Sequence, residues 1–141
     1  MSVSEKFLNI VVLSILAGGL GALAWQRMGP IGTSGTVTVN VKEPELSALA
    51  ETGKAIFEAN CATCHGLSAA GTENGPPLVH NIYNPGHHAD FAFSMAVKFG
   101  VQQHHWSYGN MPAQPQVLQD QMPAIIKYLR ELQLANGIRH L

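Results

Sequence analysis

The chain has 141 residues and a formal net charge of −1, with 12% charged residues against 46% hydrophobic ones. So small a charge offers no basic face to nucleic acid and little long-range field to steer a partner. The length admits one domain of about a hundred residues and one further segment.

That segment is N-terminal. Residues 7–25 read FLNIVVLSILAGGLGALAW without a single charge, and at about 1.5 Å per residue they are just long enough to cross a hydrocarbon core of about 30 Å. Lys6 bounds the run on one side and Trp25, Gln26 and Arg27 on the other, as interfacial anchors do. The rival reading is a cleaved signal peptide, because Ala22-Leu23-Ala24 is an A-x-A-like site. The apolar run is longer than the usual signal core of about 7–15 residues, so the expectation is an anchor retained over residues 1–26. Lys6 and Arg27 balance across the span and leave its orientation undecided. Gly18, Gly19 and Gly21 present small faces against which a second membrane helix could pack.

Residues 27–43 turn to Gly, Thr, Ser and Val with no helical period, and read as a flexible linker. Within it, Thr36-Val37-Thr38-Val39-Asn40-Val41 alternates at period two, the pattern of an extended segment lying on the domain or on a partner. A domain over 44–141 follows, and six Lys or Arg against eight Asp or Glu remain once Glu5, Lys6 and Arg27 are set aside. A first domain helix is predicted over 45–60, with Leu46, Leu49, Ile56 and Phe57 on its apolar face.

That helix runs into Cys61-Ala62-Thr63-Cys64-His65, which contains the only two cysteines of the chain. C-x-x-C-H is the pattern of covalent c-type haem attachment. Each thiol adds to a haem vinyl group, and the adjacent imidazole supplies the proximal iron ligand. One helical turn brings both sulfurs and the imidazole to one edge of the porphyrin. A structural zinc site would want a second ligand pair, and a thioredoxin-like site would want βαβ surroundings where this stretch is helical. A disulfide three residues apart closes too small a loop to stabilise much. Such haem attachment takes place outside the bacterial cytoplasmic membrane, so the domain is expected on the periplasmic side.

Residues 66–85 are rich in Gly, Pro and Asn and read as irregular chain around the haem edge. A middle helix is predicted from His88 or Asp90 to Phe99, with Asp90 as cap and Gly100 as stop. A breaker-rich loop over 109–115 precedes a last helix over 120–134, in which Pro123 falls in the first turn and Ile125, Ile126, Leu129 and Leu132 form the buried stripe.

Taken together, Gly53-Lys54-Ala55-Ile56-Phe57, the C-x-x-C-H run, Gly75-Pro76-Pro77-Leu78, Gly109-Asn110-Met111-Pro112-Ala113 and Ile125-Ile126-Lys127-Tyr128-Leu129 give residues 45–133 the order and spacing of a class I cytochrome c domain, which they closely resemble. The resemblance implies an all-α fold, here a class I cytochrome c-like haem domain preceded by a single N-terminal transmembrane helix, in which the terminal helices cross beside one buried haem c. It implies Cys61 and Cys64 as attachment points, His65 and Met111 as axial iron ligands, the Pro76 carbonyl as acceptor of the His65 Nδ1 proton, and Leu78 against the haem face. Met122 is the competing thioether, but its place in the first turn of the last helix suits a core contact. Met95, on the middle helix, reads as core filling.

Six further histidines depart from the common pattern, at 80, 87, 88, 104, 105 and 140. Neighbouring residues of regular structure point apart, so each of the pairs 87/88 and 104/105 is expected to offer one ligand at most, and hydrogen-bonding roles are preferred over a metal site. His104, His105, Trp106 and Tyr108 are candidates for haem propionate contacts. The function expected is single-electron transfer, not enzymatic catalysis, by a single-pass protein of the bacterial cytoplasmic membrane. Its donor would be a quinol-cytochrome c reductase type complex and its acceptor a cytochrome c oxidase type complex. Two alternatives stand beside it: a fixed haem subunit of a larger oxidoreductase, and a haem sensor in which Met111 is displaced.

Overall fold

The computed structural model describes residues 36–139. The membrane span expected over 7–25, the start of the linker and His140 lie outside them. Among the described residues no helix is long and apolar enough to cross a membrane.

Four α-helices carry the described fold: α1 (Ala48–Asn60), α2 (Ala62–His65), α3 (Asp90–Phe99) and α4 (Met122–Ala135), with 3₁₀ turns at Leu67–Ala69, Asn81–Tyr83 and Gln119–Gln121. The only extended pairing described is one antiparallel bridge between Val101 and Met111. The domain is therefore all-α.

Helix α1 starts three residues later than its apolar pattern suggests, because Ser47 caps it and accepts from the Ala50 N–H. Glu131 of α4 secures that cap from across the fold, accepting from the Ser47 N–H at 3.0 Å and its hydroxyl at 2.8 Å. The buried face of α1 is Ala50, Gly53 and Phe57. Leu49, expected inside, is 49% exposed.

The reason is the crossing of α1 over α4, where the backbones nearly touch. A Cβ at Gly53 would lie 1.9 Å from the Ala124 carbonyl oxygen, so no other residue fits without parting the helices, and this contact sets which side of α1 faces inward. Around it Met122, Ile125, Tyr128, Leu129 and Leu132 are buried on α4, and Phe57 packs on Tyr128 with ring centroids 5.5 Å apart. Ile126 is only partly buried against this core. Pro123 sits in the first turn of α4, as expected.

Helix α3 occupies its predicted span, and Gly100 ends it with an N–H to the Ala96 carbonyl. Its N-cap is Ala89, not Asp90, whose carboxylate instead pairs with Arg130 at 2.8 Å. Met95 is exposed rather than core filling.

The last part of the linker lies on the domain. Val37, Val39 and Val41 are half-buried while Thr36, Thr38 and Asn40 are exposed. Val39 N–H bonds Ala70 O at 2.9 Å, Val37 N–H bonds the Tyr108 hydroxyl, and Lys42 meets the Asn136 side chain. Residues 36–43, expected as flexible, are thus tied down at several points, Lys54 closing on Glu43 at 2.9 Å.

Candidate functional site

Where α1 breaks at Cys61, the chain re-enters helix for one turn, α2, which carries Cys64 and His65. Gly75 packs against it so closely that an added Cβ would sit 2.9 Å from Cys64 O and 3.2 Å from Cys64 Cβ. That approach lets the following residue reach the histidine, and the Pro76 carbonyl accepts from His65 Nδ1 at 2.9 Å. A carbonyl can only accept, so the proton is on Nδ1 and the lone pair on Nε2 is free to bind iron. Burial lowers the His65 pKa, against the opposing effect of this bond, which keeps the ring neutral.

His65 opens onto a cavity of about 360 Å³, within the range of small-molecule and cofactor sites. Phe57, Leu78, Phe93, Val97, Ile125 and Leu129 supply apolar wall, and among the described residues lining it there is no Asp, Glu, Lys or Arg. Cys61, Pro76 and Met111 share the wall with His65. Cys64 lines an adjoining recess together with Cys61, His65, Pro76 and Met111. The six residues proposed from sequence therefore line this cavity and the recess beside it, Cys64 in the recess and Leu78 in the cavity. Met111 is held by its backbone, exchanging two hydrogen bonds with Val101 at 2.9 and 3.0 Å. Met122 also reaches the wall but is 2% exposed, in the core.

The cysteines are free. Burial and the neighbouring Cys64 push the Cys61 thiol up to about 11, the reverse of the depressed thiol that a thioredoxin-like site needs. A wide apolar cavity, two thiols at its edge and an imidazole with its free nitrogen available fit a covalently held haem.

Two residues matter here that sequence reasoning passed over. Arg130 of α4 donates to Asp90 Oδ1, to Tyr83 O at 2.8 Å, to Gln133 Oε1 and to His88 O, and its guanidinium lies 5.0 Å from the Phe93 ring centroid. Gln133, 1% exposed, donates in turn to Leu78 O at 2.9 Å. The pair straps the cavity's loop wall to the last helix. A lone arginine and glutamine beside a buried stripe were the available signal.

His104, His105, Trp106 and Tyr108 all line the cavity. The one donor of Trp106 is spent on the Tyr83 hydroxyl, and Tyr108 receives the Val37 N–H. His80 caps the turn at Asn81–Tyr83, accepting from Ile82 N–H, and packs edge-on to Trp106. The expectation that each histidine pair offers one ligand does not hold for 87/88: both rings approach His105. These two residues lie in a turn, where neighbouring side chains need not diverge.

A covalent haem in an all-helical domain defines a c-type cytochrome. The cytochrome c family model matches residues 50–133, and the chain belongs to that family. It therefore carries haem c on its C-x-x-C-H run, and domains of this kind serve as electron carriers or as subunits of redox complexes. Over 77 residues, 54% of this chain, it is 35% identical to the cytochrome bc1 complex cytochrome c subunit of Mycobacterium leprae (strain TN). Over 67 residues, 47% of this chain, it is 33% identical to the Cbb3-type cytochrome c oxidase subunit FixP of Bradyrhizobium sp. (strain ORS 278). The matched part is 23% of each relative's length. No solved structure matches the chain.

Proposed function

We propose that this protein is a membrane-tethered cytochrome that carries single electrons on the periplasmic face of the bacterial cytoplasmic membrane. Its donor is a quinol-oxidising cytochrome complex and its acceptor a terminal oxidase. The observation that carries the reading is that His65 and Met111 line one largely apolar cavity with no Asp, Glu, Lys or Arg among its described lining residues. His65 and Met111 would hold the haem iron through an imidazole and a thioether, and the chemistry the group would then supply is outer-sphere electron transfer. A thioether ligand and a low-dielectric pocket both favour ferrous over ferric iron, which raises the potential and suits a carrier late in a chain. The apolar run at 7–25 supports the tether, which raises the domain's effective concentration at membrane partners.

Met111→Ala tests the ligation. The oxidised protein is expected to lose the weak far-red band of iron–thioether coordination, and the midpoint potential to fall by on the order of 0.2 V of the roughly 0.8 V that axial ligands span. Met122→Ala should keep both. A parent protein without the band, or one that binds carbon monoxide readily when reduced, would turn the reading toward a haem sensor. Tethering is tested by fractionation: haem staining should follow the membranes and be open to protease added to spheroplasts.

A second reading, a fixed haem subunit, is favoured by one feature. Phe91, Met95 and Phe99 recur every four residues along α3 and are 70%, 37% and 63% exposed. A permanent subunit would bury that stripe and stay at constant stoichiometry through purification in mild detergent, where a shuttle separates.

A further inference from the structure

Four imidazoles gather where the cavity wall meets solvent. His87 and His88 come from the turn before α3, His104 and His105 from the loop before Met111, and in five of their six pairings the ring centroids lie between 4.2 Å (His104 to His105) and 6.2 Å (His88 to His104) apart. Neither core packing nor helix capping accounts for the grouping, since His87 and His105 are exposed.

We propose that His87, His88 and His105 form a binding site for a divalent transition-metal ion of the zinc or copper type. One ring nitrogen of each lies within 4.8 Å of the others. The His87 and His105 Nε2 atoms are 3.3 Å apart. Two nitrogens at bonding distance from a tetrahedral ion, about 2.0–2.1 Å, are themselves about 3.3 Å apart, so this pair already has the separation that an ion requires. His88 donates Nδ1–H to Ile82 O at 2.7 Å, which fixes the ring and leaves its Nε2 lone pair free, the arrangement usual for a metal-bound histidine.

The donor set selects the ion. Three neutral imidazoles suit zinc, copper or nickel, whereas calcium and magnesium want oxygen ligands. The carboxylate closest in sequence, Asp90, is engaged by Arg130. Three protein ligands leave a fourth position for water or an anion, and the exposed rings give the ion a path in. Because His88 and His105 also line the haem cavity, a dication held there favours the reduced haem and raises its potential. By reciprocity, the reduced protein binds the ion more tightly.

The test titrates the full chain, haem attached, in detergent and without a polyhistidine tag, with zinc chloride followed by calorimetry. One saturable zinc per chain is expected. His87→Ala and His105→Ala, both at exposed positions and each judged folded by helix content in circular dichroism, should weaken binding by at least about tenfold, since even loss of an outer-shell partner costs 10–100-fold. Absence of saturable binding, or binding undiminished in both variants, overturns the site. The midpoint potential should rise on adding zinc to the parent and stay put in His105→Ala; zinc bound without that rise overturns the coupling to the haem.

Discussion

The helix crossing and the loop wall of the cavity are held together by different means. At the crossing of α1 and α4, backbone meets backbone at Gly53 and Ala124, and the surrounding side chains are largely apolar. The wall formed by residues 80–111 gives that core only Val97, with Tyr83 and Phe93 partly buried against it. It hangs on the bonds of Arg130 to Tyr83 O and His88 O, on the two-bond bridge between Val101 and Met111, and on imidazole contacts. One region supplies stability through shape, and the other positions chemistry through polar bonds that can be altered singly. The contrast explains how one scaffold can keep its haem-bearing frame while its pocket wall takes on new groups such as the histidine cluster.

Gly53→Ala is the severest way to probe the contrast. Its new methyl cannot coexist with the Ala124 carbonyl, so the helices must separate, at a cost of about 3 kcal/mol or more. Urea unfolding of the haem-loaded protein measures it. A loss smaller than that caused by Arg130→Met would remove the distinction between the regions.

Arg130→Met comes next. The substitution keeps an apolar stem but strips the donors from Tyr83 O, His88 O and Gln133 Oε1, and a loss of about 2 kcal/mol is expected from acceptors left without partners. The haem spectrum should broaden while helix content, read by circular dichroism, stays near that of the parent. Equal loss of both signals would mean that Arg130 belongs to the frame rather than to the wall.

The smallest effect concerns the polar bond that does serve the frame. Slight burial raises the Glu131 pKa, but hydrogen bonds from Ser47 and Lys127 outweigh it and hold the carboxyl below its ordinary 4.5. A carboxyl depressed in the folded state contributes stability that is fully present above its ordinary value and lost as pH falls through the lowered one. Glu131→Gln should therefore remove under about 1 kcal/mol at neutral pH and flatten the decline below pH 4.5. An unchanged acid profile would show that the Ser47 cap does not depend on the charge.

Much of the pocket was legible beforehand because its parts are close in sequence or carry their chemistry in spacing. Cys61, Cys64 and His65 share one turn, and Gly75 and Pro76 are ten and eleven residues on from His65, within reach of a single loop. Met111 was marked by its place between a breaker-rich loop and the last helix. Arg130 and Gln133 were missed because their partners, Tyr83, His88 and Leu78, lie 42 to 55 residues away along the chain, and no local pattern encodes which carbonyls a side chain will meet.

The sequence by itself determined the helices, the attachment of haem and the order of the pocket's residues, since periodicity, breakers and the C-x-x-C-H spacing act within one or two turns of chain. Only the tertiary structure decided that Leu49 and Met95 face outward, that Val37, Val39 and Val41 dock on the domain, and that His87, His88 and His105 converge. Those outcomes depend on which surfaces the Gly53 crossing and the Arg130 strap bring together, and close packing between distant segments is a property of the assembled core, not of any stretch within it.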